Sequence, residues 1–82
     1  MQILIFSGLE NDYYILAKEN VEKIPSEILK EIPDNPERLF NDDIEVLYSR
    51  GFHPEVEQIK FQFPKSKLLN KLEENGFLKV VL

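Results

Sequence analysis

The opening Ile3-Leu4-Ile5-Phe6 is apolar without interruption, and this run constrains the fold more than any other feature. A strand with one wet face alternates apolar and polar residues, so a continuous run calls for a strand covered on both faces. Ser7-Gly8 bounds it, and Tyr13-Tyr14-Ile15-Leu16-Ala17 follows as a second run rich in aromatic and β-branched side chains. Gly8, Asn11 and Asp12 between them suit a turn. The two runs predict a hairpin with a somewhat long loop.

The pattern then changes period. Pro25 suits a first helical turn and Glu27 the positive end of its dipole. Ile24, Ile28, Leu29 and Ile32 recur at helical spacing until Pro33 forbids continuation. A second helix is predicted from the Asn35 cap, with Pro36 and Glu37 in its first turn. Phe40, Ile44, Leu47 and Tyr48 form its stripe, and Arg50 lies in its last turn. Asn41-Asp42-Asp43 can instead cap a later start. Gly51 and Phe52 supply the stop, as a left-handed residue followed by an apolar contact. Ile59, Phe61 and Phe63 alternate with Lys60 and Gln62, the period of a strand with one wet face. After Pro64 comes a helix carrying Leu68, Leu69 and Leu72, ended by Gly76-Phe77. The last run, Phe77 to Leu82, is almost wholly apolar and reads as a central strand.

The expected fold is therefore one α+β domain spanning residues 1–82. A small mixed sheet of about four strands is covered by about three helices, in the order ββααβαβ. Helices on one face of the sheet are the simplest arrangement. A strand–helix–strand unit near the C-terminus would cross over right-handedly if its strands were parallel neighbours. Two apolar strands in so short a chain also leave open a homodimer, in which a second copy covers the exposed face.

Chemistry is harder to find. The chain has no cysteine, which removes disulfides, thiolate metal sites and thiol nucleophiles together. Without staples a domain this small points to a reducing compartment. The N-terminal run lacks a basic flank and a cleavage site, and it is far too short to span a bilayer. The expectation is a cytoplasmic protein. Glycines at positions 8, 51 and 76 cannot build a phosphate loop. Asp42, Asp43 and Glu45 fall within about one helical turn and lack calcium-loop spacing, so no metal site is assigned. No cofactor is implied and no catalytic residue is assigned. His53, the only histidine, sits near Glu55 and Glu57, either of which could orient it as a base lining a small cleft. That enzyme or ligand-binding reading stands as an alternative.

The charge is −5 and unevenly placed. Thirteen acidic residues face five basic ones between Glu10 and Glu57, whereas from Gln58 onward five lysines face two glutamates. An acidic surface disfavours direct nucleic-acid binding and suits a basic protein partner. The leading expectation is a non-enzymatic interaction or regulatory module. Its candidate contact residues are Asp34, Glu37, Asp42, Asp43 and Glu45, with Tyr13 as an interfacial aromatic. An inhibitor-type role is the sharper version: an immunity protein, an antitoxin or an acidic nucleic-acid mimic.

Ile5-Phe6-Ser7, Tyr14-Ile15-Leu16-Ala17-Lys18, and Ile24-Pro25 followed by Ile28-Leu29 resemble the YcgL family of small bacterial proteins. A Gly-Phe helix end leading into a strand is similar too, and Gly51-Phe52 or Gly76-Phe77 can be its match. The resemblance lies mainly in the N-terminal third. It implies a fold relative and no activity.

Overall fold

A computed structural model describes residues 1–32, 38–49 and 53–81. It shows an α+β fold built on one four-stranded sheet. Strands β1 (Gln2–Ser7) and β2 (Asp12–Ala17) form the expected hairpin. A 3₁₀ segment (Lys18–Lys23) and helix α1 (Ser26–Glu31) follow. Strand β3 (Arg38–Asp43) runs directly into α2 (Ile44–Ser49), and then come α3 (Pro54–Gln62), α4 (Lys65–Asn75) and β4 (Phe77–Val81). The order across the sheet is β3-β1-β2-β4, and every neighbouring pair is antiparallel. The sheet is thus not mixed, and the conditional right-handed crossover has no parallel pair to act on.

Two stretches take the opposite structure from their expected one. Residues 38–43 are a strand rather than helix, because Asn41-Asp42-Asp43 terminate it and cap a later helix. Asp43 Oδ1 accepts the Glu45 N–H at 2.9 Å, which starts α2 at Ile44. Residues 59–62 are helix rather than strand. Pro54 occupies the first turn of α3, with Glu55 and Glu57 beside it. Val56 and Ile59 are fully buried and Phe63 packs against the same core. Phe61 breaks the apparent alternation by pointing outward, 90% exposed. The expected Asn35 cap, Pro36 and the Gly51-Phe52 stop lie outside the described residues.

Helices cover both faces, not one. Ile3, Ile5, Ile15, Ala17, Phe40 and Val80 pack on the first face against Ile44 and Leu47 of α2, Val56 and Ile59 of α3, and Leu68 and Leu72 of α4. The second face carries Phe6, Tyr14 and Leu16, covered by Ile24, Ile28 and Ile32 around α1. This layer is thin, since α1 itself has no fully buried residue. Both faces of β1 are therefore dry, which is why its sequence does not alternate. β4 is an edge strand rather than a central one, and Val81 is 67% exposed.

Gly76 joins α4 to β4 with φ 78°, the left-handed cap expected of it. Its N–H donates to Leu72 O at 2.8 Å, and its carbonyl accepts the Ala17 N–H at 2.9 Å. A Cβ at this position would lie 2.6 Å from Asn20 O. The helix end and the 3₁₀ segment meet here with no room for a side chain.

Candidate functional site

The turn of the β1–β2 hairpin builds a polar pocket on the thinly covered face. Asp12 opens β2 and is only 4% exposed. Its carbonyl accepts the Gly8 N–H at 2.9 Å, and its Oδ1 accepts the Glu10 N–H at 3.2 Å. The side chain thus folds back over its own turn. Asn11 takes φ 56° to close the loop. Gly8 is required for a different reason: a Cβ there would sit 2.2 Å from Asp12 Oδ1 and 2.8 Å from Tyr14 Cε2. Only glycine leaves the space that the carboxylate and the ring occupy.

Two residues further along β2, and hence on the same face, comes Tyr14. Its ring stacks on Phe6 with centroids 6.0 Å apart, and its hydroxyl donates to Glu31 Oε2 at 2.6 Å. The cross-strand partner of Tyr14 is Lys79 of β4. The Lys79 ammonium lies 5.8 Å from the Tyr14 ring centre, 3.5 Å from Asp12 Oδ2 and 4.0 Å from Glu31 Oε2. Leu9, Glu10, Asp12, Tyr14, Glu31 and Lys79 together line a cavity of ≈ 140 Å³. Sites that take drug-sized ligands are larger, about 300–1,000 Å³.

Burial raises the Tyr14 pKa above its ordinary value, helped by the bond to Glu31 and its negative charge. The phenol therefore stays protonated at neutral pH and acts as a donor. The Lys79 pKa is raised in turn, first by the ionised form of Tyr14, then by Glu31 and Asp12 against partial desolvation. Three carboxylates face one ammonium, so the pocket is electronegative and suited to a further cation.

The sequence-predicted contact residues lie elsewhere. Asp42, Asp43 and Glu45 cluster where β3 meets α2, but all three have internal partners: Asp42 Oδ1 accepts the Asp43 N–H at 2.7 Å. Asp43 caps α2 and accepts from the Met1 amino group at 3.3 Å. Its pKa is lowered, chiefly by the Glu45 N–H. Glu45 is ion-paired with Lys65. Asp34 and Glu37 lie outside the described residues. Tyr13 is half-buried on the opposite face from Tyr14, packed against the larger core.

His53 stands at the start of α3, where its carbonyl accepts the Val56 and Glu57 N–H groups at 3.0 and 3.1 Å. Its half-exposed ring pairs with Glu55. It does not line the pocket. Tyr48, which the sequence places on the apolar stripe of its helix, is half-buried and donates its hydroxyl to Phe63 O. Among the described residues no group of three or more His, Cys, Asp or Glu could hold a metal ion. None of their helices is long and apolar enough to cross a membrane.

Sequence reasoning passed over Asp12, Tyr14, Glu31 and Lys79. Two signals pointed to them. Asp12 and Tyr14 share a strand face by their spacing of two, and Lys79 is a lone charge within an otherwise apolar strand, which calls for a partner. Comparisons with known proteins find no match: no family model, no curated protein and no solved structure aligns with this chain.

Proposed function

We propose that this protein is a non-enzymatic interaction module that recognises a basic segment of a partner protein. The observation that supports this reading is the pocket of Glu10, Asp12 and Glu31, in which three carboxylates are offset by Lys79 alone. Its size suits one inserted side chain rather than a substrate. The Asp12 and Glu31 carboxylates already accept hydrogen bonds from the Glu10 N–H and the Tyr14 hydroxyl, which fixes two of the three negative groups at little cost in reorganisation. Relative to the sequence expectation, the acidic contact surface moves from the β3–α2 junction to the hairpin turn.

The test compares the two acidic regions directly. Fluorescein-labelled tetra-arginine is titrated by anisotropy against the wild-type chain, a Glu10→Gln/Glu31→Gln variant and an Asp42→Asn/Glu45→Gln variant. Removing two partly exposed charges from the pocket is expected to weaken binding by at least about threefold, with the junction variant unchanged. The reverse ranking, or equal affinity for all three chains, overturns the proposal.

A further inference from the structure

The register of β4 says how a partner would reach this pocket. Ala17 N–H donates to Gly76 O, and the β2–β4 pairing runs Leu16↔Phe77, Tyr14↔Lys79 and Asp12↔Val81. In an antiparallel ladder, pairs that exchange hydrogen bonds alternate with pairs that do not. Residues 76, 78 and 80 therefore bond to β2. Phe77, Lys79 and Val81 turn their N–H and C=O groups away from the sheet, toward the open edge. These same three residues carry their side chains on the pocket face, because they pair with Leu16, Tyr14 and Asp12.

We infer that β4 accepts an extended segment of a partner protein as a fifth strand, in which basic side chains alternate with apolar ones. This rests on the reading of the pocket as a basic-segment site and adds the docking mode. Strand addition draws affinity from main-chain bonds and specificity from alternate side chains. On the incoming strand, the side chains opposite Lys79 and Val81 lie on the pocket face. The position opposite Val81 is two strand spacings from Asp12, about 9–10 Å, a span for an arginine or lysine rather than a short side chain. The remaining residues of that strand would continue the first face beside Leu78 and Val80, which calls for apolar character there.

The two sheet edges differ in the way this assignment requires. β3 carries Arg38, Asp42 and Asp43, and its register with β1 shifts between Ile5 and Phe6, both of which block strand addition. β4 carries Phe77, Leu78, Val80 and the exposed Val81, and its one charge leans inward over Tyr14. A second copy of the chain is the poorer occupant. Self-pairing along β4 brings together two chains of charge −5, whereas a basic segment meets that charge with the opposite sign.

The probe is a synthetic nine-residue peptide alternating valine and arginine, titrated by anisotropy and by amide chemical shifts. It is compared with a valine–glutamate peptide and with a version N-methylated at the amides that would face β4. The parent peptide is expected to bind, with shifts at 77, 79 and 81. N-methylation should weaken binding at least about tenfold through lost main-chain bonds. Val81→Pro should do the same, because the N–H it removes serves no bond within the sheet. Circular dichroism checks that this variant folds, and the N-methylated peptide carries the test if it does not.

An N-methylated peptide that binds as well as its parent overturns the added strand while leaving the acidic-pocket reading intact. Failure of the valine–arginine peptide to bind at all, or equal binding of the glutamate peptide, removes both. A chain that sediments as a dimer, and as a monomer after Val81→Pro, assigns the edge to a second copy and overturns the inference.

Discussion

The two faces of the sheet are built to different standards. One is sealed by three helices whose contact residues, Ile44, Leu47, Val56, Ile59, Leu68 and Leu72, are all buried. The other is closed by a single short helix that buries no residue completely, and a polar cluster of Asp12, Tyr14, Glu31 and Lys79 completes the cover. The first face supplies most of the apolar burial and hence most of the hydrophobic stabilisation. The second gives up some of that burial to hold charged groups in a fixed arrangement near the surface. The bulk of the apolar core and the polar cluster thus lie on opposite sides of the same strands, and a residue's spacing along β2 decides which it joins.

The sharpest way to break this comparison is to truncate one side chain on each face. Leu72→Ala opens a cavity under α4, where the surroundings are already packed, and is expected to cost about 4 kcal/mol. Ile24→Ala removes a similar volume beneath the thin layer, which can settle into the gap, and should cost about 2 kcal/mol. Urea unfolding of both variants measures the difference; equal losses would mean that the two layers are equally rigid.

Tyr14→Phe tests the polar part of the thin face. It deletes the bond to Glu31 and leaves the ring stacked on Phe6, so a loss of about 1 kcal/mol is expected. A larger loss would show that the cluster is structural first and a recognition surface second.

The smallest effect at neutral pH concerns the tyrosine on the sealed face. Burial pushes the Tyr48 hydroxyl up to about 12 from 10.0, so the folded chain holds this proton more tightly than the unfolded one. Its contribution is fully present below pH about 10 and is lost as pH rises toward about 12. Tyr14, raised in the same direction, adds to the same alkaline loss. Tyr48→Phe is expected to flatten that limb in a pH series of thermal melts while leaving the curve near pH 7 with only a small offset. An unchanged alkaline limb would show that Tyr48 is not protected there.

Much of this fold was legible because several local signals agreed. The β1–β2 hairpin, α1, α4 with its Gly76 stop, and β4 each combine an apolar pattern with a matching turn or cap. The two misread stretches are places where such signals competed. At Ile59, Phe61 and Phe63 a five-residue alternation outweighed Pro54, Glu55 and Glu57, which mark a helix start. Val56, Ile59 and Phe63 fit a helix face equally well once Phe61 is left outside. At 38–43 the chain has little strand propensity of its own, and pairing with β1 decides the outcome. The pocket was hidden for a related reason. Tyr14 and Lys79 are far apart in sequence, and only the β2–β4 register, a tertiary fact, brings them face to face. The thin cover on that face likewise depends on where α1 settles, which no local pattern encodes.

The charges and the register shift of β3 have a consequence for assembly. A sheet with two receptive margins can propagate, each added unit exposing the next acceptor, and such chains grow into filaments. Here one margin carries Arg38, Asp42 and Asp43 and a register shift, so the β4 edge of one copy meets no receptive β3 edge on the next. Head-to-tail stacking of this chain along its sheet is thereby disfavoured, and raising its concentration is not expected to lengthen a polymer.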